Sequence, residues 1–197
     1  NRDTQGFLMN RERVGLNLFE DTYGYVDCGT DSSLDDIFAS GGTVSMWIKP
    51  TGSTSNMGII NKSGNSTVGW FFVFDSFSSN TWHLQFVANH ATTDAKAQKN
   101  NIISPDEWTH IAVTYTSSAG EKASLYKNGI LLTSLTVDTA SVGTYVADDA
   151  KDLLIGRKSA TAAPFKGQID DVAIYTEALI AAQVLRNYKA GKGRHRN

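Results

Sequence analysis

The fold is indicated most clearly by two stretches, Trp108-Thr109-His110-Ile111-Ala112-Val113-Thr114-Tyr115 and Leu125-Tyr126-Lys127-Asn128-Gly129. The first stretch is a run of aromatic and β-branched residues, which is typical of a β-strand. The Asn-Gly pair of the second stretch predicts a two-residue type I′ turn, because both residues tolerate positive φ. Residues 123–127 and 130–135 are therefore expected to form a hairpin.

Similar short runs separated by turn residues lie upstream of these stretches. Thr43–Lys49 places Val44, Met46 and Ile48 on one face, and Trp70–Phe74 is apolar on both faces, as expected of a central strand between two layers. The following run, Trp82–Val87, alternates cleanly, with Trp82, Leu84 and Phe86 expected to point inward. His83 and Gln85 are then expected to face solvent or a groove.

The remaining segments have weaker strand signals. Asn89–Asn101 is polar without an apolar period and predicts a long loop. Near the C-terminus, the apolar residues of Ala178–Lys189 recur at helical spacing, and Gly191 is expected to end that helix. The whole pattern predicts an all-β fold, a two-sheet antiparallel jelly-roll sandwich with one short C-terminal helix.

Length and charge limit the classes of function. The 197 residues suit one domain, which we divide into an N-terminal arm (1–13), a jelly-roll domain (14–190) and a basic tail (191–197). A net charge of −2 and a pI near 6.1 provide no overall field for nucleic acid. No apolar stretch approaches the roughly 18 residues of a membrane span, and the single Cys28 excludes an internal disulfide. The start lacks both Met and an apolar signal, so we expect a processed chain or a piece of a longer one.

Five motifs occur in an order that resembles the laminin-G-like jelly-roll domains of the concanavalin A-like lectin/glucanase superfamily. The resemblance covers roughly residues 14–191. The motifs are Ser45-Met46-Trp47-Ile48-Lys49-Pro50, Trp108–Tyr115, Leu125–Gly129, Leu154-Ile155-Gly156-Arg157, and Gly167-Gln168-Ile169-Asp170-Asp171-Val172-Ala173-Ile174-Tyr175 with Ala178-Leu179.

The resemblance implies binding of glycans or proteins, or service as an accessory domain of a larger protein. It also implies a structural calcium ion near Asp171, Asp170 and Asp21, since calcium is bound by six to eight oxygen atoms. The alternative for these acids is that they cap turns and accept hydrogen bonds from backbone amides. Both interpretations stay open at this point.

Catalysis is not predicted. Glycoside hydrolysis needs two carboxylates about 5 to 10 Å apart across a cleft, but Asp170 and Asp171 are adjacent in a strand and are expected to face opposite ways. Glu177 falls beyond that strand. The four histidines are scattered, and His110 is expected to serve structure within its strand. We therefore expect a protein that is not an enzyme.

Four tryptophans suggest sugar stacking, because an aromatic face suits the apolar side of a pyranose. Trp47, Trp82 and Trp108 are expected to pack in the interior. Trp70 begins its strand beside a loop and is the best stacking candidate. Polar partners for a ligand are expected from His83, Gln85, Asn89, His90 and Arg157.

Two functions remain in competition. The first is a non-catalytic display or decoration module, docked through its arms on the surface of a virion or cell envelope; its expected partner contacts are Arg11, Arg13, Lys192, Arg194 and Arg196. The second is a carbohydrate-binding, lectin-like adhesion module. Both predict a location that is extracellular or on such a surface, a glycan or protein partner, and no nucleic acid; homo-oligomerisation is left open.

Overall fold

Two antiparallel β-sheets enclose an apolar core in the computed structural model of the protein. The structure describes residues 16–18, 24–63, 67–116, 120–158 and 164–196. The expected N-terminal arm (1–13), with Arg11 and Arg13, lies outside the described residues, as does the candidate calcium ligand Asp21.

Thirteen strands and one α-helix are found among the described residues. They are β1 (Leu16–Leu18), β2 (Val26–Asp27), β3 (Gly42–Pro50), β4 (Met57–Lys62), β5 (Trp70–Ser78), β6 (Thr81–Ala88), β7 (Ala95–Ile103), β8 (Thr109–Tyr115), β9 (Ser124–Lys127), β10 (Ile130–Leu131), β11 (Val137–Thr139), β12 (Leu154–Ile155), β13 (Gly167–Tyr175) and α1 (Ala181–Gly191). A single 3-10 turn, Ser32–Leu34, precedes β3.

The strands form a six-stranded sheet in the order β1-β13-β3-β8-β9-β10 and a seven-stranded sheet in the order β11-β7-β6-β5-β4-β12-β2. Together with α1, this arrangement confirms the predicted jelly-roll sandwich with one short C-terminal helix. Each sheet has an inner face toward the core and an outer face on the opposite side. These two terms are used in this sense below.

The predicted alternation of side chains accounts for the core. Trp82, Leu84 and Phe86 of β6 are fully buried against inward residues of the six-stranded sheet, such as Met46 and Ile111. Phe74 stacks on Trp82 with ring centroids 5.2 Å apart. Full burial of each such side chain is worth roughly 1.5–3 kcal/mol, so the period of two dictates which face of each strand is inner.

The hairpin at Asn128-Gly129 is confirmed. Asn128 has φ 51° and Gly129 has φ 77°, and Ile130 pairs with Lys127, which leaves the two-residue turn that the sequence predicts. The side-chain oxygen of Asn128 also accepts a hydrogen bond from the backbone N–H of His110 at 3.0 Å. The turn residue therefore ties the hairpin to β8 as well.

The loop predicted for residues 89–101 is wrong over its second half, which is β7. Ala95 and Ala97 point into the core and are fully buried, while Lys96 pairs with Val87 of β6 and Thr139 of β11. Alanine is a poor strand former with a small apolar surface. The alternation is present, but its inward members are too small to show as an apolar period.

The helix begins three residues later than predicted and includes Gly191. The side chain of Gln183 accepts a hydrogen bond from the backbone N–H of Ile180 at 2.9 Å, which fixes the first turn. Gly191 has no left-handed φ; a methyl group on its Cα would overlap the indole of Trp47. Its role is close packing and not the predicted helix stop. Among the described residues, no helix combines the length and apolarity that crossing a bilayer requires.

A buried ionic network joins the seven-stranded sheet to its flanking loops. The Nζ of Lys62 lies 2.7 Å from Asp35 Oδ1 and 3.2 Å from Asp148 Oδ1, and the side chains of Lys62 and Asp148 are both 0% exposed. Asp148 also accepts hydrogen bonds from the Tyr145 hydroxyl and from the backbone N–H of Asp36. A buried charge of this kind is tolerated only because each group has partners.

We expect Asp148→Ala to lower the free energy of unfolding by about 3–5 kcal/mol, because Lys62 would keep a buried charge with one partner fewer. Urea unfolding measures the change. Asp138→Ala is the matched control: it removes the exposed pair with Lys122 and is expected to cost about 1 kcal/mol or less. Equal losses in the two variants would contradict the prediction.

Candidate functional site

The outer face of the seven-stranded sheet carries an apolar cluster separate from the core. It consists of Phe71, Val73 and Val87, with Phe71 opposite Val87 and Val73 opposite Gln85 in the strand register. Each apolar member is at most 5% exposed. Because they lie on the outer face, their burial requires a cover other than the six-stranded sheet.

Part of that cover is the chain that follows β12. Its backbone at Arg157 and Lys158 passes directly over Gly58 of β4, where any side chain would overlap it. The Asn61 side-chain amide donates a hydrogen bond to the Arg157 carbonyl, and Lys158 Nζ lies 4.3 Å from the centroid of the Phe71 ring. Burial lowers the pKa of Lys158 below its ordinary value, and the charge of Asp75 opposes this shift. A cation is thus held over an aromatic ring, a favourable arrangement.

Beside the apolar cluster lies a chain of side-chain amides. Gln85 Nε2 donates to Gln98 Oε1 at 2.6 Å, and Gln98 Nε2 donates to Asn100 Oδ1 at 2.8 Å. Each amide has two N–H groups and an oxygen with two lone pairs, so these contacts leave hydrogen-bonding capacity. The outer face therefore presents amide donors and acceptors beside an apolar cluster that is itself buried.

Three of the sequence-predicted ligand residues belong to this face. Gln85 is part of the amide chain, and His83 lies further along the same strand, where its ring contacts Ser76 Oγ at 2.7 Å and Asn101 Oδ1 at 3.1 Å. Arg157 marks the edge of the face, with its guanidinium 4.9 Å from the centroid of the Tyr25 ring. Tyr25 is 39% exposed, and sequence reasoning missed it.

The other three candidates are structural, which corrects the prediction. Trp70 is fully buried and packs edge-on against Phe38 at 5.0 Å, so it presents no face to a sugar. Asn89 is 2% exposed and donates to the carbonyls of Val68 and Gly69. The ring of His90 contacts the Ala88 carbonyl and the Tyr115 hydroxyl inside the molecule. Proximity to a loop did not expose these side chains, because each packs or hydrogen-bonds inside the molecule.

The acidic pair of β13 is arranged differently from its prediction. Between Asp170 and Ala173 the pairing with β3 is interrupted by a bulge, and Asp171 has φ 48°. A bulge inserts an extra residue and redirects side chains. Asp170 and Asp171 consequently lie close together, their carboxylates and the His195 ring being within 4.8 Å of one another. The expectation that they face opposite ways is wrong.

Residues 191–196 pack against the outer face of the six-stranded sheet. Arg194 forms an ion pair with Asp171, and His195 Nε2 lies 3.0 Å from Asp170 Oδ2. The His195 ring stacks on the indole of Trp47 at 4.4 Å with an interplanar angle of 11°. Arg194, expected to contact a partner, is therefore engaged within the chain, while the contact roles of Lys192 and Arg196 stay predictions.

His110 lies beneath α1 on the same face. It is 2% exposed, its ring faces those of Trp47 and Tyr188 at 5.5 and 5.9 Å, and its Nδ1 has no hydrogen-bond partner among the described residues. Burial and the nearby charge of His195 lower the pKa of His110 to about 4, with Asp171 acting in the opposite direction. The structural role expected for this histidine fits a neutral, buried ring.

A sequence profile described as concanavalin A-like lectin/glucanases superfamily matches residues 20–185. The chain belongs to this superfamily. The resemblance carried by the five motifs is thereby confirmed for its fold and family.

Individual relatives are distant. A zebrafish (Danio rerio) protein, adhesion G-protein coupled receptor V1, is 25% identical over 165 residues, which cover 82% of this chain and 2% of the receptor. Domain 4 of AbnA, an extracellular arabinanase of Geobacillus stearothermophilus, superposes with a TM-score of 0.57 at 16% identity, covering 89% of this chain and 86% of that domain. The CBM40 domain of a Ruminococcus gnavus IT-sialidase gives 0.57 at 13% identity, covering 76% and 83%. At such identities the solved structures support the shared fold alone.

The calcium ion implied by the resemblance stays a prediction, and the described donors do not fit it. Calcium needs six to eight oxygen ligands. Here Asp170 faces a histidine nitrogen and Asp171 faces a guanidinium, so a cation would have to displace both. Neither a nitrogen donor nor a neighbouring positive charge suits this ion.

With the C-terminal segment docked, calcium chloride is expected to leave the melting temperature unchanged. A ligand that binds only the folded state raises this temperature by mass action, and Arg194 and His195 already occupy the carboxylates. Magnesium chloride at equal ionic strength controls for screening. A rise with calcium alone, reversed by a chelator, would support the ion that the resemblance implies.

His110 generates a prediction on pH dependence. Because its folded pKa of about 4 lies below the ordinary value of 6.5, the unfolded chain binds the extra proton between these values. Stability is then unaffected above pH 6.5 and falls as pH drops toward 4, by roughly 3 kcal/mol in all. Chemical unfolding of the wild type and of His110→Phe at several pH values measures the difference. An identical pH profile in both proteins would contradict the assignment.

Proposed function

We propose that this chain is a non-catalytic carbohydrate-binding domain of an extracellular adhesion protein, and that the glycan binds on the outer face of the seven-stranded sheet. The observation that carries the proposal is the row of side-chain amides on that face, Gln85, Gln98 and Asn100, together with the exposed ring of Tyr25 at one edge of the sheet. Ligand sites combine apolar surface with a few placed polar groups in this way. The apolar cluster of Phe71, Val73 and Val87 is buried and supports the face from beneath.

The chemistry of the face suits a sugar. A pyranose has an apolar C–H side and a periphery of hydroxyl groups, so it needs apolar contact together with groups that both donate and accept hydrogen bonds. The amides of Gln85 and Gln98 offer both functions. The exposed ring of Tyr25 and the cations of Arg157 and Lys158 extend the face along one edge.

The relatives support the same class of function. The Ruminococcus gnavus domain is described bound to α2,3-sialyllactose, and the arabinanase domain in complex with arabinotriose. The zebrafish relative is an adhesion receptor. These properties belong to those proteins, and the extracellular location of the present chain is part of the proposal.

The display role on a virion or cell envelope stays a prediction without an observation that favours it. Its N-terminal contacts lie outside the described residues. One of its C-terminal contacts, Arg194, is paired with Asp171 of the same chain. Carbohydrate binding is therefore the function proposed.

A glycan array probed with the folded domain tests the proposal, followed by titration of the best glycan into Gln85→Ala. Loss of one hydrogen-bonding side chain is worth about 1 kcal/mol, so the affinity is expected to fall roughly fivefold. Gln168→Ala, on β13 of the other sheet, is the matched control and is expected to bind normally.

Two results would contradict the proposal. The first is an array without signal above background from protein whose circular dichroism shows an intact fold, which would remove carbohydrate binding. The second is an equal loss of affinity in Gln85→Ala and Gln168→Ala, which would remove the outer face of the seven-stranded sheet as its location.

A further inference from the structure

A pocket lies on the opposite side of the molecule from the proposed glycan face, between the C-terminal segment and the outer face of the six-stranded sheet. Its volume is about 380 Å³, which falls within the range of small-molecule sites, roughly 300–1,000 Å³. The pocket is lined by Trp47, Trp108, Asn128, Tyr188, Lys192, His195 and Arg196. None of the six residues predicted from sequence to bind a ligand is among them.

The walls of this pocket are aromatic and mutually supported. Trp47 stacks with Tyr188 at 5.5 Å, and His195 lies between Trp47 and Trp108, stacked on the first and edge-on to the second at 4.7 Å. Trp108 is only partly buried. Packing thus holds the rings in place while part of the Trp108 surface stays open to a ligand.

The charged groups that line the pocket are all basic. Lys192 and Arg196 are exposed, and neither has a carboxylate partner in the part of the chain that the structure describes. Asp170 and Asp171, the acids that contact the C-terminal segment, pair with His195 and Arg194. Two positive charges that line the pocket therefore have no counter-charge among the described residues.

The polar lining favours an acceptor as ligand. Both ring nitrogens of His195 are used within the chain, since Nδ1 lies 3.0 Å from the Gly191 carbonyl and Nε2 lies 3.0 Å from the Asp170 carboxylate. The Asn128 oxygen is already used by the His110 N–H, which leaves its amide hydrogens to donate.

We propose that this pocket binds the carboxylate-bearing ring of an acidic sugar, with the carboxylate at Lys192 and Arg196 and the ring against Trp108. The inference rests on the proposed carbohydrate-binding function and adds a separate site for one class of sugar. A neutral sugar would leave both cations unused. A bare anion would leave the aromatic wall unused, so the two features together select a ring that carries a negative charge.

Isothermal titration calorimetry with four probes tests the inference. N-acetylneuraminic acid and glucuronic acid represent the two sources of a sugar carboxylate, methyl glucoside is the neutral ring and sodium sulfate is the bare anion. At least one acidic sugar is expected to bind at low salt, more tightly than methyl glucoside or sulfate. Its affinity is expected to fall as salt is added.

A double variant, Lys192→Gln with Arg196→Gln, locates the site. It is expected to weaken binding of the acidic sugar by about tenfold or more, because charge-assisted contacts are the stronger ones. The matched control is Arg186→Gln with Lys189→Gln, which removes the same charge from exposed positions of α1 outside the pocket and is expected to bind normally. Trp108→Phe is expected to weaken binding without loss of fold.

Several outcomes would overturn the inference. These are sulfate or methyl glucoside binding as tightly as the acidic sugars, equal losses in the two double variants, or no binding of either acid. If the array finds glycans whose binding is weakened by Gln85→Ala but neither acidic sugar binds, only the inference about this pocket is contradicted. If the acidic sugars bind at Lys192 and Arg196 while Gln85→Ala leaves glycan affinity unchanged, the site proposed on the outer face of the seven-stranded sheet is contradicted and the pocket is supported.

Discussion

Both sheets contribute their inward side chains to one apolar core, and this shared burial constrains every other feature of the molecule. Residues such as Phe86 and Ile111 pack within the same cluster, so the period of two along each strand decides which side chains are left on an outer face. An outer face cannot stay apolar without a cover. In this protein each outer face is covered in part by a chain segment, and each candidate site adjoins that segment.

The two covers use the same physical device, a glycine that lets the backbone come close. Gly58 accepts the chain at Arg157 and Lys158 on one sheet, and Gly191 brings the end of α1 against Trp47 on the other. On the second sheet the contact is reinforced by the ion pair of Asp171 with Arg194 and by the contact of Asp170 with His195. A segment held by backbone packing and charge fixes the edges of a binding surface without filling it.

The sequence predicted the features that depend on large side chains or on turn chemistry. The alternation of Trp82, Leu84 and Phe86 and the Asn128-Gly129 turn required no tertiary information, because local periodicity and φ preference suffice. The strand β7 was not predicted, because alanines fill its inward positions and produce no visible apolar period. The bulge at Asp171 was not predicted, because an inserted residue leaves no signal in the alternation of a strand.

Candidate site residues were harder to predict, since exposure depends on what crosses a face. Trp70 begins its strand beside a loop yet points into the core, whereas Phe71 points outward beneath Lys158. The apolar residues on both faces of the run 70–74 predict burial between two layers. The same pattern is also consistent with an apolar cluster on an outer face. That cluster needs the cover of residues 157–158, which the sequence does not reveal. Long-range contacts of this kind leave no periodic signal.

The geometry of the two proposed sites determines how they can cooperate. They lie on opposite outer faces, separated by two sheets whose packing distance alone is about 10 Å. A short glycan cannot span them, so one site gains no effective concentration from occupation of the other by the same ligand. Glycans on two different surfaces could instead be held at once by one domain. Binding two glycans in this way cross-links the two surfaces and does not tighten binding to either glycan. Cross-linking of surfaces is what adhesion requires.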